Sequence, residues 1–324
     1  MRPGIWAAIV SALLIAVLAG LVVGPVPVSL PEIWGALTGS GDAQSTAIIQ
    51  AIRLPRVALG IIVGAGLAAS GVAMQATMRN PLAEPYLLGV SGGAAVGAVL
   101  ATAAGLTQTA AIEVSAFVGA GASVALVMGL AHAAGARASS PAIVMAGVVI
   151  GAFANAMILV ILAGSPSGVV RDALWWMMGS LAGASWPLVG SLTVLVVIGI
   201  AALAAMARDV DVLSLGDDPA AALGVDVDRA VRRVFLLAAL LAASTVAAAG
   251  LVGFVGLVVP ALVRALGARS TRTAIGAAAL AGGALVVLAD VAARTVRAPA
   301  ELPLGAVTAL IGVPFFLARL RHTQ

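Results

Sequence analysis

Ten apolar runs follow one another along this chain, with only short polar joints between them. They lie near residues 5–26, 57–78, 88–106, 110–134, 141–163, 187–207, 229–250, 252–266, 273–293 and 303–320. About 20 apolar residues carry a helix across a bilayer. The predicted fold is therefore all-α: one polytopic bundle, residues 1–324, of about ten transmembrane helices set in membrane lipid. Composition agrees, with 62% hydrophobic and only 9% charged residues, where a soluble domain has about 25% charged. That balance excludes an ordinary soluble enzyme, a disordered segment and a nucleic-acid binder. The pI of about 11.1 comes from arginines dispersed between the apolar runs. The run at 252–266 is the least regular, because Gly253, Gly256 and Pro260 loosen a lipid-facing helix. Such residues are tolerated where neighbouring helices cover the freed backbone. The small-xxx-small pairs Gly60/Gly64, Gly93/Gly97 and Gly147/Gly151 favour close helix contacts.

Two absences narrow the chemistry. There is no Cys, which removes disulfides, thiolate metal sites and cysteine nucleophiles. There is also no Lys, and a Walker A loop needs its Lys at the β- and γ-phosphates. Any ATP that drives this chain is hydrolysed by another. The first apolar run is longer than the usual 7–15-residue core of a signal peptide and lacks a clean cleavage site, so a retained helix is expected. Ten spans put both termini on one side. With that side inside, Arg2, Arg79, Arg137, Arg208, Arg229, Arg232, Arg233, Arg264, Arg269, Arg272, Arg319 and Arg321 are internal. Arg53, Arg56, Arg171, Arg294 and Arg297 are then external, as the positive-inside rule prefers. Trp175, Trp176 and Trp186 fall near the outer interface, where indole rings anchor.

Three polar segments stand out. Residues 209–228 hold the stretch Asp218-Pro219-Ala220-Ala221-Ala222-Leu223-Gly224, which predicts a miniature helix with Asp as cap, Pro first and Gly as stop. At about two turns it is too short to stand alone in water. It docks either on its own bundle or on a separate motor subunit. The second segment is Arg53-Leu54-Pro55-Arg56, either a helix entrance or an external cationic patch for a partner's carboxylates, which Arg294 and Arg297 would enlarge. The third, residues 74–89, carries Asn80-Pro81 and Pro85 and reads as a tight inner turn.

These segments resemble the permease subunits of ABC importers for iron–siderophore complexes, haem and cobalamin. The likeness rests on RLPR at 53–56, GAGLAASGVAMQATMRNPLAEPYLLGVSGGAAVGA at 64–98, LGDDPAAALGV at 215–225, AGLVGFVGLVVP at 249–260 and ELPLGAVTALIGVPFF at 301–316. The resemblance implies a homodimer in a bacterial inner membrane, with both termini cytoplasmic and the substrate path along the two-fold axis. It implies two cytoplasmic ATP-binding subunits and a periplasmic or lipid-anchored substrate-binding protein. It implies alternating access, with ATP used by the partner subunits and no cofactor or metal bound by this chain. Gly216, Asp217, Asp218, Ala222, Leu223 and Gly224 then form the ATPase-coupling element. Arg53, Arg56 and Arg294 match family positions that face outward and receive acidic residues of the binding protein. One departure is Ala261, where the family commonly has His after the proline.

The general likeness does not select a cargo. Residues 169–186, VVRDALWWMMGSLAGASW, look more like the haem branch, and Arg171 is suited to a haem propionate or else to pairing with Asp172. By resemblance the helix at 141–163 lines the path, with Asn155 its one strongly polar side chain and Met157 beside it. Met74 and Met145 are further candidates for porphyrin contact, although Met in an apolar helix usually packs. His132 and His322 fall near polar inner ends, unsuited to holding iron midway. Ser165-Pro166-Ser167-Gly168 reads as a loop. The favoured expectation is a haem permease, with siderophore or cobalamin as alternatives. An ion-coupled secondary transporter is the alternative of a different class, for which Glu113 and Asp290 are the acidic candidates inside predicted spans.

Overall fold

The computed structural model describes residues 1–133 and 140–321. Arg137 and His322, and the side chains of Arg319 and Arg321, lie outside the described residues. In chain order the helices are α1 Pro3–Val22, α2 Leu30–Thr38, α3 Ala43–Ala47, α4 Leu54–Thr77, α5 Val90–Ala103, α6 Thr109–Ala133, α7 Ser140–Ala163, α8 Ser167–Met177, α9 Trp186–Ala205, α10 Ala207–Leu213, α11 Asp217–Ala222, α12 Val227–Ala249, α13 Val255–Ala265, α14 Thr271–Thr295 and α15 Leu304–Arg321. Seven helices are long and apolar enough to cross a membrane, and α5, α13 and part of α15 are shorter apolar helices. Together they coincide with the ten expected runs. The expected loop at 165–168 is shorter than predicted, because α8 already begins at Ser167.

α4 is the central element, and its most extensive partner is α14. Their contact is made by glycine. A Cβ built on Gly64 would run into the carbonyl of Gly282, and one on Gly282 would strike Gly64 in return. Gly71 of α4 meets the Gly256 backbone of α13 in the same way. Such approach is how helices gain packing where lipid supplies no hydrophobic drive between them. Of the expected glycine pairs, Gly60/Gly64 packs on α14 and Gly93/Gly97 on α6. Gly147 touches the backbone at Leu87, while Gly151 faces open space.

The irregular run proves to be a broken helix. α12 stops at Gly250 with φ 68°, and Phe254 takes φ 66° before α13 starts at Val255. Pro260 has no N–H, so the carbonyl of Gly256 one turn earlier loses its helical partner. The Gln75 amide of α4 supplies it, with Nε2 donating to Gly256 O at 3.4 Å and Leu257 O at 3.2 Å. Arg264 Nη1 donates to Gln75 Oε1 at 3.1 Å. At the break itself the Tyr86 hydroxyl donates to Val252 O at 3.1 Å and accepts from Val252 N at 3.2 Å. The freed backbone is thus covered by protein, as a bilayer interior demands.

Gly64→Val should lower the melting temperature of the detergent-solubilised protein, at an overpacking cost of about 1–3 kcal/mol or more. Gly121→Ala, in α6 with nothing within 4 Å of the added Cβ, should leave it nearly unchanged. Equal melting temperatures for the two variants would remove the α4–α14 contact from this account.

Candidate functional site: a buried charge cluster and an exposed short helix

α1 ends near residues 20–22, leaving the carbonyls of its last turn without helical partners. Two arginines supply them. Arg53 Nη1 donates to Leu21 O and, at 2.9 Å, to Val22 O, while its Nη2 donates to Val26 O. Arg294 Nη2 donates to Gly20 O at 2.6 Å. Positive charge at a helix C-terminus also meets the negative end of the helix dipole. Arg53 reaches this spot from the end of a π-helical stretch, Ile48–Arg53, that runs into α4.

In the first turn of α4, Arg56 sits between two carboxylates. Its Nε donates to Asp290 at 3.0 Å and Nη2 to Asp290 Oδ1 at 2.8 Å. On the outer edge Nη1 and Nη2 donate to the two oxygens of Glu301, each at 2.8 Å. Arg294, one turn beyond Asp290 on α14, approaches Asp290 Oδ2 at 3.5 Å. The Arg56 hydrogen bonds hold the Glu301 carboxyl below the usual carboxylate range, so it is ionised at neutral pH. Glu301 lies in the turn between α14 and α15.

These contacts correct the expectation of an exposed cationic patch. Arg53, Arg56 and Arg294 are 3%, 7% and 4% exposed, and all three are engaged within the chain. The physical reason is that each has an internal acceptor that would otherwise be orphaned. Of the four arginines expected in the patch, only Arg297 is exposed. The sequence reading saw Asp290 and Arg294 as neighbours one turn apart but missed their link to Arg56 and Glu301. The Asp290 carboxylate is bound up by two guanidinium groups, which leaves Glu113 as the remaining acidic candidate for ion coupling.

At the opposite end of α4 the chain forms two short helices rather than one. The cap of α11 is Gly216, at φ 122°, and Asp217 and Asp218 occupy its first turn. Asp218 is therefore not the cap. Pro lacks an N–H at positions whose N–H groups have no helical partner anyway, so Pro219 leaves the start of the helix free to shift by a residue. Gly224 stops it at φ 84°, as expected. Ala220 is buried, whereas Ala222 is exposed and Leu215 and Leu223 flank α11 with 65% and 64% of their surface open. Two contacts that the sequence reading missed fasten this unit. Asp217 pairs with Arg79 at 3.0 Å, just beyond the end of α4, where Arg79 is held at φ 52°. Asp211 of α10 accepts from Thr271 N at 2.8 Å and caps α14.

The expected path residues do not converge. Asn155 is exposed on α7, but Met157 lies 200° around the helix from it and lines a different surface. That surface is an apolar groove of about 590 Å³ between α5, α6 and α7, shared with Phe153 and Leu100. Met74 is fully buried in the core and Met145 is 70% exposed. Arg171 pairs with Asp172 at 3.4 Å, with both side chains largely open to solvent. His132 is exposed near the end of α6, and Ala261 is buried in α13. Of the three tryptophans expected at the outer interface, Trp186 donates from Nε1 to Gln50 O, within the π-helical stretch, at 3.0 Å.

Comparison with known proteins places this architecture. The chain is 40% identical over 277 residues to the cobalamin import system permease protein BtuC of Halobacterium salinarum, covering 86% of this chain and 74% of that one. It is 38% identical over 312 residues to the hemin transport system permease protein HmuU of Yersinia pestis, covering 94% and 91% respectively. A solved inward-facing conformation of a metal-chelate type ABC transporter superposes with a TM-score of 0.90 at 29% identity, over 99% of this chain and 100% of that one. Residues 12–322 match the model of the FecCD transport family, and the chain, a membrane-spanning permease, belongs to that family.

Proposed function

We propose that this chain is the translocating subunit of an ATP-driven importer whose cargo is haem. Its family comprises permeases of ABC importers for iron chelates, haem and cobalamin, with ATP hydrolysis in separate subunits. The observation that carries the mechanism is α11, a helix of six residues with two exposed leucines at its ends and too few turns to be stable unsupported. Gly216, Asp217, Asp218, Ala222, Leu223 and Gly224 form the element that seats in the ATPase, with Leu215 and Leu223 as its apolar anchors. The charge cluster of Arg53, Arg56 and Arg294 at the other end is the docking point for acidic residues of a periplasmic or lipid-anchored binding protein, which reach it at the outward edge of Arg56. A second copy of the chain covers the open apolar faces of α7 and α15, where Leu159 and Leu310 are 69% and 75% exposed. The path runs between the copies, with Asn155, Met157 and Arg171 assigned to it. Both termini face the cytoplasm across a bacterial inner membrane, on the side that gathers most of the arginines.

Haem is supported by the exposed Arg171, whose guanidinium is free to exchange a weak surface partner for a propionate. The similarity to HmuU across nearly the whole chain points the same way. Cobalamin is the second reading, favoured by the BtuC relative. Uptake into proteoliposomes holding this chain and its ATPase separates them. Each cargo is supplied with a matching binding protein, with and without internal ATP. ATP-dependent entry of haem is the expected result, entry of cobalamin or a ferric siderophore alone replaces the cargo, and entry driven by an ion gradient without ATP overturns the class.

Two variants test the coupling end. Leu215→Asp with Leu223→Asp should weaken ATPase assembly by about thirtyfold or more, the scale of a lost apolar anchor. Asp217→Arg should lower the amount of cargo moved per ATP hydrolysed, and adding Arg79→Asp should restore it. Assembly and coupling at the native level in both would remove α11 from the mechanism.

A further inference from the structure

Arg56 is clasped from two sides by carboxylates that differ in freedom. Asp290 is 3% exposed, lies on the rigid α14 and is shared with Arg294. Glu301 lies in the turn between two helices, its side chain is 35% exposed, and its carboxylate accepts two hydrogen bonds from Arg56 alone among the guanidinium groups of the cluster. It covers the edge of Arg56 that faces out, which leaves the Arg56 side chain 8% exposed. The cluster is also one cation in excess, since Arg53, Arg56 and Arg294 face only Asp290 and Glu301. Arg294 meets Asp290 only loosely, with its buried Nε 3.5 Å from Oδ2 and short of a hydrogen bond. The exposed Arg297 adds to the excess.

We propose that Glu301 is a displaceable counter-ion: an acidic residue of the binding protein takes Arg56 by exchanging with Glu301, which swings into water. This deepens the docking reading above and rests on it. The reading asks a buried guanidinium to receive an external carboxylate, and the exchange explains how. A carboxylate replacing a carboxylate leaves no buried charge unpaired at any point, the condition that makes breaking a buried pair expensive. The incoming group inherits the bidentate geometry that Glu301 now uses. Because Glu301 competes for Arg56, the contact adds less net affinity than a free Arg56 would give, and Glu301 recaptures Arg56 when the partner leaves. The chain's own carboxylate also shields Arg56 from stray anions between encounters.

The test is binding of a substrate-binding protein, as its soluble domain loaded with haem, to the complete transporter in nanodiscs. Association rates and Kd are read for native protein, Glu301→Gln and Arg56→Gln. Glutamine keeps the size of Glu301 and one hydrogen bond to Arg56 but removes the competing charge. Glu301→Gln should therefore bind about two- to fivefold tighter, the span expected for relief of a partly exposed ion pair, with a steeper loss of affinity on adding salt. Arg56→Gln should bind more weakly than native. Unchanged or weaker binding by Glu301→Gln, with Arg56→Gln still weak, overturns the exchange and leaves Glu301 as a support that holds Arg56 in place. Native binding by both variants overturns the exchange together with the docking reading. Should Glu301→Gln fail to assemble, Glu301→Asp retains the charge on a shorter arm. Tighter binding by that variant supports the exchange, and native or weaker binding overturns it.

Discussion

α4 and α14 touch backbone to backbone where Gly64 meets Gly282, and the rest of the molecule is arranged around that contact. Residues four apart share a helix face, so Arg56, Gly60 and Gly64 form one stripe on α4. Gly282, Val286, Asp290 and Arg294 form its counterpart on α14. The helices run antiparallel, and the eight-residue step from Gly64 back to Arg56 equals the step from Gly282 on to Asp290. Once the glycines seat, the guanidinium and the carboxylate arrive opposite each other, and ion-pair distance follows from helix geometry. A larger side chain at either glycine would separate the helices and open both charges to lipid or water. Lipid-facing α1 is then tied on through the Arg53 and Arg294 bonds to its final carbonyls.

The helices were legible in the sequence because the bilayer imposes a length on every apolar run. All ten runs became helices, and even the weakest, near 252–266, was marked in advance by Gly253, Gly256 and Pro260. What the residues could not disclose was who repairs the damage that Pro260 causes. Gln75 lies far away in sequence, and nothing local to it signals a distant orphan carbonyl. The same holds for Arg56 and Asp290, which are 234 residues apart. The four-residue spacing of Asp290 and Arg294 was the one local trace of the cluster. Family resemblance marked the arginines but implied an outward patch, whereas packing wraps each in acceptors. The misplaced cap of α11 has a different origin, since a proline near a helix start is permissive over several positions and fixes no register.

α4 is what joins the two ends. It is 24 residues long, about 36 Å at the α-helical rise, and it is covered over most of its surface. At one end it carries Arg56, and two residues past the other comes Arg79, paired with the first residue of α11. A bulky residue at positive φ costs about 1–2 kcal/mol, more than a surface ion pair of this exposure returns. The Asp217 contact therefore does not by itself hold Arg79 in that conformation. The turn that follows contributes, with Asn80 accepting from Leu82 N at 2.9 Å, as does the fit of Pro85 against Gly256. A stiff rod held at both ends moves as a body, so the Arg56 cluster and the Arg79 contact to α11 share one element.

Cargo recognition has a different physical status from these two ends. The charge cluster and the α10–α11 unit are completed within one chain, and their geometry can be read from it. The expected path residues are not brought together there. Asn155 stands on the uncovered face of α7, and Met157 turns toward the groove beside α5 and α6, so one chain cannot present both to one ligand. An open face bearing Val148 and Leu159 beside a lone amide suits a surface that a second protein surface completes. Specificity for a flat, anionic macrocycle over a corrinoid would then be set by the gap between two such faces and by where Arg171 falls at its rim. On that reading both are properties of an assembly, and relatives of nearly equal similarity to this chain are named for different cargoes, cobalamin and hemin.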